Sequence, residues 1–467
     1  MITDSRCNLH LTSSECFERA VRLPAALKGV KQATGNIQIM NSIEDAYLNL
    51  AEKEGIVRAH KMPYIERIKK KCMAAPEDDV VALTDDSDGN GGEDTSKFLS
   101  LQVCECINGI VEGNLLTLFH RDTEGSKGSW NAALSGVGAA LKGVDMIMNG
   151  ECLNVFCATR PPGHHAGREL HPMKAVSNGF CILNSVACAA LYATAPISDG
   201  GLGLSRVCVI DIDVHHGNGT QDILCSTYDP RFLYVSMHAG GPDINGIDME
   251  EDGLEQFEHH LAGNSLKGIF PGKCGDYSPH KGVLNIPLGG QVTPHALGTA
   301  LVTKVTPTVD SFNPELIIIS AGFDAHKNDP LNMGGLTAEN FGTLTEVICK
   351  LAYKCCSGRV LSVLEGGYGV PCCRPQNFSN PEGQNFGPHS QHMKVEKDSS
   401  EAKQEASQGK FVELRCLELG SELPPYMTDV ISSYALQKRL DKCHEEGFVH
   451  CVKEHVSALA RCNNVTR

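Results

Sequence analysis

Acidic and histidine side chains are concentrated in one short stretch, Asp211-Ile212-Asp213-Val214-His215-His216-Gly217-Asn218-Gly219, directly after an apolar run that begins at Val207. Successive side chains of a strand point to opposite faces, so Asp211, Asp213 and His215 are expected on one side. Carboxylates and imidazoles bind zinc, and a catalytic zinc site has three protein ligands and an open fourth position. Because buried ionisable groups are costly without a partner, the stretch predicts a metal site rather than a polar strand cap.

A further metal ligand is expected from Ser320-Ala321-Gly322-Phe323-Asp324-Ala325-His326, which follows a second continuous apolar run. The candidate ligand is Asp324. In parallel sheets, ligand sites lie beyond the carboxyl ends of the strands, so the two stretches can meet although they are far apart in sequence. Taken alone, Asp324 is more typical of a helix cap, and its assignment as a ligand depends on both stretches together.

Two other polar motifs follow apolar runs and have side chains suited to proton transfer. Arg160-Pro161-Pro162-Gly163-His164-His165-Ala166 presents a histidine pair on a turn stiffened by prolines, and a histidine near neutral pH both accepts and donates a proton. Glu365-Gly366-Gly367-Tyr368-Gly369 presents a tyrosine whose hydroxyl can donate to a developing oxyanion. Each motif also has a structural interpretation, as a buried histidine pair bonded to backbone and as a tyrosine packed at a strand end.

Short apolar runs recur between about residues 153 and 367, each followed by a polar or glycine-rich motif and a helical pattern, which is typical of a parallel α/β sheet. Strands are predicted at residues 155–158, 207–212, 232–235, 283–288, 316–319 and 360–364. Crossover helices are predicted at 180–193 and 341–353, and Thr293-Pro294 is expected to begin another. The runs show little alternation, as expected of strands covered on both faces.

The chain is divided into a poorly assigned N-terminal segment, residues 1–55, and one domain over residues 56–467. Three insertions are expected in that domain. They are an acidic loop at about 76–96, a long polar loop at about 239–268, and a stretch rich in Pro, Ser, Gln and Asn at about 370–445. Beyond the last insertion, apolar residues from Phe448 to Leu459 have the spacing of one helix face and predict a closing helix.

The composition is typical of a globular protein, with 41% hydrophobic and 21% charged residues in a chain of 467. No apolar run is long enough to span a bilayer, and the N-terminus lacks the apolar centre of a secretory signal, so we expect an intracellular protein of the nucleus or cytoplasm. The 21 cysteines are scattered and are expected to be reduced thiols. A net charge of -15 disfavours direct nucleic-acid binding and favours a cationic partner, such as a lysine-rich protein tail.

The motifs RPPGHHA, DIDVHHGNGTQ, SAGFDAH and LEGGYG resemble, in their order and spacing, the histone deacetylase family of zinc-dependent amidohydrolases. HHGNGTQ and SAGFDAH are more similar to class II than to class I members. The resemblance implies an α/β fold shared with arginases, a single open and mostly parallel sheet of about eight strands with helices on both faces. It also implies a chromatin regulator that hydrolyses acetyl-lysine in histones or other proteins and that can join regulatory complexes.

The resemblance also assigns roles to single residues. The implied zinc ligands are Asp213, His215 and Asp324, and the zinc polarises the acetyl carbonyl and acidifies its bound water. The implied catalytic residues are His165 as general base and acid, Asn218 as its partner, His164 paired with Asp211, and Tyr368 as oxyanion donor. A structural potassium site is implied at Asp211, Asp213, His215, Ser236 and Met237. Substrate contacts are implied at Gly179, Phe180, Phe270, Leu331 and Gly367.

The sequence departs from the family near its N-terminus and in two loops. The usual His-Pro-Glu segment is not found, which leaves residues 1–55 unexplained. The loop at 239–268 is longer than in the family, and the closing helix is delayed to about residue 446. We therefore expect the surface around the substrate entrance to differ from that of the family, and the metal site to be shared.

Two alternative functions stay open. Acetylpolyamine amidohydrolases share the metal motif but place Glu directly after the Asp-Pro pair, whereas here Leu331 follows Asp329-Pro330. A weakly catalytic scaffold that binds acetyl-lysine is the second alternative; some class II members have histidine in place of the tyrosine, whereas Tyr368 is present here. A binuclear arginase-type hydrolase is disfavoured because Asp324-Ala325-His326 lacks a second bridging carboxylate.

Overall fold

The computed structural model of the protein describes residues 1–12, 16–76, 80–83, 123–170, 172–175, 177–240, 271, 282–331, 333–370 and 447–462. The insertions expected at about 76–96, 239–268 and 370–445 lie almost entirely outside these described residues and stay predictions. Within the described ranges, no helix combines the length and the apolar character needed to cross a membrane.

A parallel sheet forms the centre of the molecule and confirms the predicted α/β class. Its strands are β3 (Asn154–Cys157), β4 (Val207–Asp211), β5 (Phe232–His238), β6 (Val283–Pro287), β7 (Leu316–Ala321) and β8 (Val360–Leu364). They lie in the order β3-β8-β7-β4-β5-β6 and are all parallel. The described residues thus supply six strands to this sheet, and the expected number of about eight is not reached within them. A separate two-residue antiparallel ladder joins β1 (Val81–Ala82) to β2 (Glu124–Gly125).

The strand bounds agree with the predicted runs to within two residues, except at the end of β5. That strand was expected to end at Val235, because the next residues are polar, but it continues to His238. Ser236 and His238 are buried there, and Ser236 Oγ lies 2.8 Å from His238 Nδ1. Because these polar atoms satisfy one another, the strand can continue through the sheet interior.

The strand order reverses direction between β4 and β7. From β4 the chain moves outward through β5 and β6, then returns to the other side of β4 with β7 and β8. Open parallel sheets bind ligands at such a switch point, beyond the carboxyl ends of the strands. The Asp211 motif follows β4 and the Asp324 motif follows β7, and the backbone N–H of Ile212 donates to Ser320 O across the two strand ends at 3.0 Å. The topology therefore brings the two predicted metal-binding stretches together.

Alternate residues of each central strand pack against two different layers of helices. Cys208 and Ile210 of β4 belong to one hydrophobic cluster, whereas Val207 and Val209 belong to the other. The first layer contains α1 (Arg22–Gln32), α8 (Pro294–Ala300), α9 (Thr306–Phe312), α10 (Ala338–Cys356) and α11 (Gly447–Cys462). The second contains α2 (Asp45–Leu50), α3 (Ile56–Ala59), α4 (Met62–Ala74), α5 (Ser129–Met148), α6 (Ser185–Thr194) and α7 (Asn218–Cys225). Because helices cover both faces of the sheet, its strands do not alternate between apolar and polar residues.

The predicted helix starts are confirmed at Thr293 and wrong at Phe180. Thr293 Oγ1 accepts the N–H of Ala296 and caps α8, which has Pro294 at its first turn. Helix α6 begins at Ser185 instead of Phe180, because Asn184 supplies the cap by accepting the Ala187 N–H. Phe180 itself has a φ of 68°, which is incompatible with a helix. An apolar run therefore predicted the helix but not its first residue.

The N-terminal residues are part of the same α/β body, although the sequence left them unassigned. Ile2 adds a short bridge beside β3: its N–H donates to Phe156 O at 2.9 Å, and its carbonyl accepts the Ala158 N–H at 2.9 Å. Helix α1 packs on the closing helix α11, where a Cβ at Gly29 would lie 2.5 Å from Val449 O. The beginning and the end of the described chain thus pack together on one face of the sheet.

Candidate active site

Three predicted metal ligands converge at the switch point of the sheet. Asp213 and His215 follow β4, Asp324 follows β7, and one ligand atom from each lies within 4.8 Å of the others. His215 Nδ1 is 3.1 Å from Asp213 Oδ1 and 3.0 Å from Asp324 Oδ2. All three residues are buried. We call these three residues the ligand cluster.

The ligand cluster fits a zinc ion better than it fits a set of internal hydrogen bonds. Asp213 Oδ1 also accepts the His215 backbone N–H at 2.9 Å, but the one proton on His215 Nδ1 cannot be donated fully to two carboxylates at once, and one histidine can balance only one of their two negative charges. The remaining carboxylate oxygens are held by backbone: Asp324 Oδ1 accepts the Val214 N–H at 2.9 Å, and Asp213 Oδ2 accepts the Gly366 N–H at 2.9 Å. One nitrogen and two carboxylates, with their outer oxygens fixed, are a suitable donor set for catalytic zinc.

The two histidines of the RPPGHHA turn lie beside the ligand cluster and have different partners. Their rings are 3.9 Å apart, and the His165 ring is 5.9 Å from that of His215. His164 Nδ1 is 3.0 Å from Asp211 Oδ2, and His165 Nδ1 is 2.7 Å from Asn218 Oδ1. The Asn218 amide group donates to the Pro172 carbonyl at 2.9 Å, so its oxygen is the atom that faces His165. The His165 proton is therefore assigned to Nδ1, and Nε2 keeps its lone pair.

Electrostatics separate the two histidines further. Burial alone would lower the pKa of His164, but the carboxylates of Asp213 and Asp211 outweigh it and raise the pKa to about 10. Burial lowers the pKa of His165 well below its usual value, and nearby His164 and His215 lower it further. A bound zinc ion would offset part of the Asp213 charge that His164 feels. His164 is thus suited to carry a charge, whereas neutral His165 is suited to accept a proton.

Tyr368 faces the ligand cluster from the turn that follows β8. Its backbone N–H donates to Asp329 Oδ2 at 2.7 Å, and its ring lies 5.5 Å from Phe180 in an edge-on contact. Burial raises the pKa of Tyr368 well above its usual value, so the hydroxyl keeps its proton and remains a donor. A Cβ at Gly366 would lie 2.5 Å from Oδ2 of both Asp213 and Asp324, so only glycine lets this turn approach the ligands.

Comparison with known proteins identifies the family of this site. The histone deacetylase domain model matches residues 16–374. The chain belongs to the histone deacetylase family. This family consists of zinc-dependent deacetylase hydrolases, and its matched residues begin within the segment that the sequence left unassigned.

Two larger relatives match a little more than half of this chain. Type-2 histone deacetylase 2 of Dictyostelium discoideum is 37% identical over 259 residues, 53% of this chain and 13% of that relative. Histone deacetylase 9 of Homo sapiens is 32% identical over 287 residues, 60% of this chain and 24% of that relative. The match therefore spans a minor part of the length of both, and it confirms the class II resemblance.

A solved structure agrees with the fold of this family member. The crystal structure of the HDA15 HD domain matches with a TM-score of 0.52 at 22% sequence identity and covers 94% of both chains. At this identity the likeness concerns the fold alone.

The residues predicted for potassium binding lie at neighbouring strand ends. Asp211 at the end of β4 is in register with Ser236 of β5, and Met237 follows. Tyr234 donates its hydroxyl proton to Asp211 Oδ2 at 3.1 Å, which holds that carboxylate from the β5 side. Two of the five predicted residues, Asp213 and His215, belong to the ligand cluster, and the other three lie on the neighbouring strands β4 and β5; potassium binding stays a prediction.

Four of the five predicted substrate contacts lie within the described residues. Gly179 and Phe180 have positive φ values of 47° and 68°, so this sharp turn directs the Phe180 ring towards Tyr368. Leu331 donates its N–H to Asp329 Oδ1 at 3.0 Å, so one carboxylate holds both Leu331 and Tyr368. Gly367 accepts a hydrogen bond on its carbonyl from Arg22. The fifth, Phe270, lies outside the described residues.

The main part of the site that sequence reasoning missed comes from the N-terminal residues. Glu18, Arg22, Arg160 and His10 form what we call the N-terminal cluster. Arg22 Nε donates to Gly367 O at 2.8 Å, Arg22 Nη2 donates to Glu365 O, and its guanidinium lies 4.7 Å from the centre of the Tyr368 ring. Glu18 accepts hydrogen bonds from Arg22 and Arg160 at 2.9 Å each. The cluster therefore supports the turn that carries Tyr368 from behind.

Phe17 and Glu365 are two further residues that received no role from the sequence. The Phe17 ring is 6.4 Å from the Tyr368 ring, on the N-terminal segment where the family's His-Pro-Glu motif was sought. Glu365 belongs to the LEGGYG motif, but only its tyrosine suggested chemistry. The spacing of Glu18 and Arg22, four residues apart in a helical pattern, was the one available signal for the N-terminal cluster, and it is common on helix surfaces.

Proposed function

We propose that this protein is a zinc-dependent lysine deacetylase that hydrolyses N6-acetyl-lysine of protein substrates to lysine and acetate. The observation that carries the proposal is the convergence of Asp213, His215 and Asp324 on one point, next to His165, whose Nδ1 lies 2.7 Å from Asn218 Oδ1. Family membership supports the reaction class. It does not distinguish acetyl-lysine from an acetylated polyamine.

The chain's own residues would move the proton in this reaction. Zinc, when bound by the ligand cluster, supplies a Lewis acid for the acyl carbonyl. His165 Nε2 accepts a proton from the attacking water while Asn218 holds Nδ1 at 2.7 Å. The water oxygen bonds to the carbonyl carbon, the carbon–nitrogen bond then breaks, and His165 returns the proton to the departing lysine amine. One histidine thus acts first as base and then as acid.

Tyr368 is proposed as the donor to the oxyanion that develops on the acyl oxygen. A preorganised donor in a site without water stabilises such charge strongly, because it does not need to reorient during the reaction. Asp329 holds the Tyr368 backbone at 2.7 Å, and Arg22 lies behind the ring, so the phenol is fixed on two sides. His164, paired with Asp211, is proposed to stabilise the site as charge develops.

One residue near Tyr368, Leu331, favours acetyl-lysine over an acetylpolyamine. Phe180 supplies an aromatic wall suited to the methylenes of either substrate, and Phe270 is proposed as the opposite wall. Leu331 is apolar where a polyamine-specific site needs a carboxylate to attract a distal cation. A protein tail rich in lysine also suits the net charge of -15. We propose histone or other acetylated proteins of the nucleus or cytoplasm as substrates, regulatory proteins as partners, and a structural potassium ion beside the zinc.

One assay tests the proposal against both alternatives. The purified chain, supplied with zinc, is offered an acetyl-lysine peptide and an N-acetylated polyamine, with His165→Ala as the control. We expect turnover of the peptide, a much smaller kcat/KM for the polyamine, and loss of turnover in the control. A higher kcat/KM for the polyamine would identify the protein as an acetylpolyamine amidohydrolase. Peptide binding without turnover above the control would identify an acetyl-lysine-binding scaffold.

A further inference from the structure

Glu365 is a buried side chain that connects two catalytic turns. Its Oε2 accepts the N–H of Gly163 at 2.7 Å and the N–H of His164 at 3.1 Å. Its own backbone N–H donates to Ala321 O at 3.0 Å, so the residue is anchored at the carboxyl end of β8. Only 1% of its surface is exposed, and burying a carboxylate is costly unless it receives hydrogen bonds. The two backbone hydrogen bonds offset part of the cost of burying this side chain, and burial raises the pKa of Glu365 to about 7.

Glu365 is close in sequence to one proposed catalytic residue and contacts the turn that carries the other. The proposed base, His165, directly follows His164, and the proposed donor, Tyr368, lies three residues after Glu365. One side chain thus joins the backbone that carries the base to the backbone that carries the donor. The tyrosine turn also binds Asp213 through Gly366, Asp329 through Tyr368 and Arg22 through the Gly367 carbonyl, but none of these three bonds reaches the histidine turn directly.

We propose that Glu365 is a positioning residue that sets the separation of His165 and Tyr368. The inference rests on the proposed deacetylase function. Two catalytic groups act on the same carbonyl only when both are held in place, and a displacement of about 1 Å by a change away from the reacting atoms can reduce the rate roughly 100-fold. The role belongs to the acceptor oxygen and to the length of the side chain, rather than to the negative charge.

Length and charge can be separated with two substitutions. Glu365→Asp keeps the charge but shortens the side chain by one methylene, so the carboxylate can no longer reach the N–H groups of Gly163 and His164. Glu365→Gln keeps the length and an acceptor oxygen but removes the charge. With an acetyl-lysine peptide, we expect Glu365→Asp to reduce kcat about 10- to 100-fold while KM changes less than about 3-fold, and Glu365→Gln to retain at least about a third of kcat.

Asp4 provides a matched control away from the site. It is also a buried carboxylate that holds two backbone segments, since it accepts the Arg6 N–H at 2.9 Å and the Ile43 N–H at 2.9 Å. Asp4→Asn should lower the melting temperature and leave kcat unchanged. Zinc content should stay at one ion per chain in all variants, because neither carboxylate is a proposed ligand.

Several outcomes would overturn the inference. If folded Glu365→Asp kept more than about half of kcat, the length of the side chain would not matter. If Glu365→Gln lost as much activity as Glu365→Asp, charge would be the relevant property. Where Glu365→Asp does not fold, the kcat of Glu365→Gln is compared with that of wild type, and a large loss would overturn the inference. A second zinc ion lost on substitution would assign Glu365, with His164 and Cys181, to a metal site instead. Wild-type protein without turnover would overturn the proposed function itself.

Discussion

Two buried ionic clusters adjoin Tyr368 and have opposite electrostatic character. In the ligand cluster, the carboxylates of Asp213 and Asp324 face one nitrogen of His215 at 3.1 and 3.0 Å. In the N-terminal cluster, the Glu18 carboxylate accepts hydrogen bonds from two guanidinium groups and lies 3.1 Å from His10 Nε2. Negative charge is in excess in the first cluster, and positive charge is in excess in the second.

This difference indicates which buried charges serve chemistry. A buried charge is tolerated when partners within the chain neutralise it, as Arg22 and Arg160 do for Glu18. Two carboxylates that share one histidine keep an excess of negative charge, which a cation from outside the chain would neutralise. Burial alone does not identify a functional site, since both clusters are buried; the balance of charge does.

Removal of a carboxylate from the ligand cluster is expected to have the largest effect. Asp213→Ala or Asp324→Ala should abolish activity and sharply lower zinc content, because a site with three protein ligands loses most of its affinity with one of them. Metal analysis of the dialysed protein measures the zinc. Full zinc occupancy in either variant would show that the excess negative charge of the ligand cluster does not serve to bind zinc. The proposed difference between the two clusters would then be wrong.

Removal of the carboxylate from the N-terminal cluster should affect stability first. Glu18→Gln leaves two buried guanidinium groups without their counter-charge, so we expect the free energy of unfolding to fall by about 3–5 kcal/mol. Urea denaturation measures this change, and zinc content of the folded protein should stay at the wild-type level. Loss of zinc together with stability would show that the two clusters form a single unit.

Tyr368 lies between the clusters, and its hydroxyl should matter for the rate alone. In Tyr368→Phe, kcat should fall about 100-fold or more, which corresponds to roughly 3 kcal/mol, because one preorganised donor is lost. KM should change less than kcat, and zinc content and thermal stability should barely change. Retention of more than about a third of wild-type kcat would make the tyrosine a packing residue.

The smallest expected effect concerns acid stability of the N-terminal cluster. Burial lowers the pKa of His10, and the nearby Arg160 charge contributes. A histidine with a lowered pKa is protonated first in the unfolded chain, so stability is lost as pH falls below about 6.5, by up to about 1.4 kcal/mol per pH unit. His10→Gln should reduce the fall in unfolding free energy between about pH 7 and about pH 5.5. An unchanged slope would mean that His10 is charged in the folded cluster.

The sequence alone was sufficient for the central strands and for the motifs at their ends. Strand β4 and the stretch that follows it are continuous in sequence, so apolar run, turn and ligand types are all local signals. The same holds for β7 and Asp324. The rule that parallel strands end at one edge then brought the two stretches together without a structure. The order of the motifs also carried the family resemblance.

The N-terminal cluster could not be predicted in this way. Glu18 and Arg160 are 142 residues apart, and nothing local indicates that they meet. A Glu and an Arg four residues apart are ordinary on an exposed helix, whereas here the pair is fully buried between Arg160 and the turn that carries Tyr368. Charged residues are rarely buried, so residue type alone predicts that Glu18, Arg22 and Arg160 are exposed, whereas the fold buries them.

The sequence by itself determined which side chains are available for chemistry and the strand ends at which they stand, because strand periodicity and turn residues act over a few residues. The tertiary structure decided how these groups are shared. The resemblance had already implied the pairs His164–Asp211 and His165–Asn218, whereas only the structure brought Arg22 behind Tyr368 and the Glu365 side chain to the histidine turn. Burial and neighbouring charges, which set the pKa of each histidine, depend on contacts between segments far apart in sequence, and those contacts exist only in the folded chain.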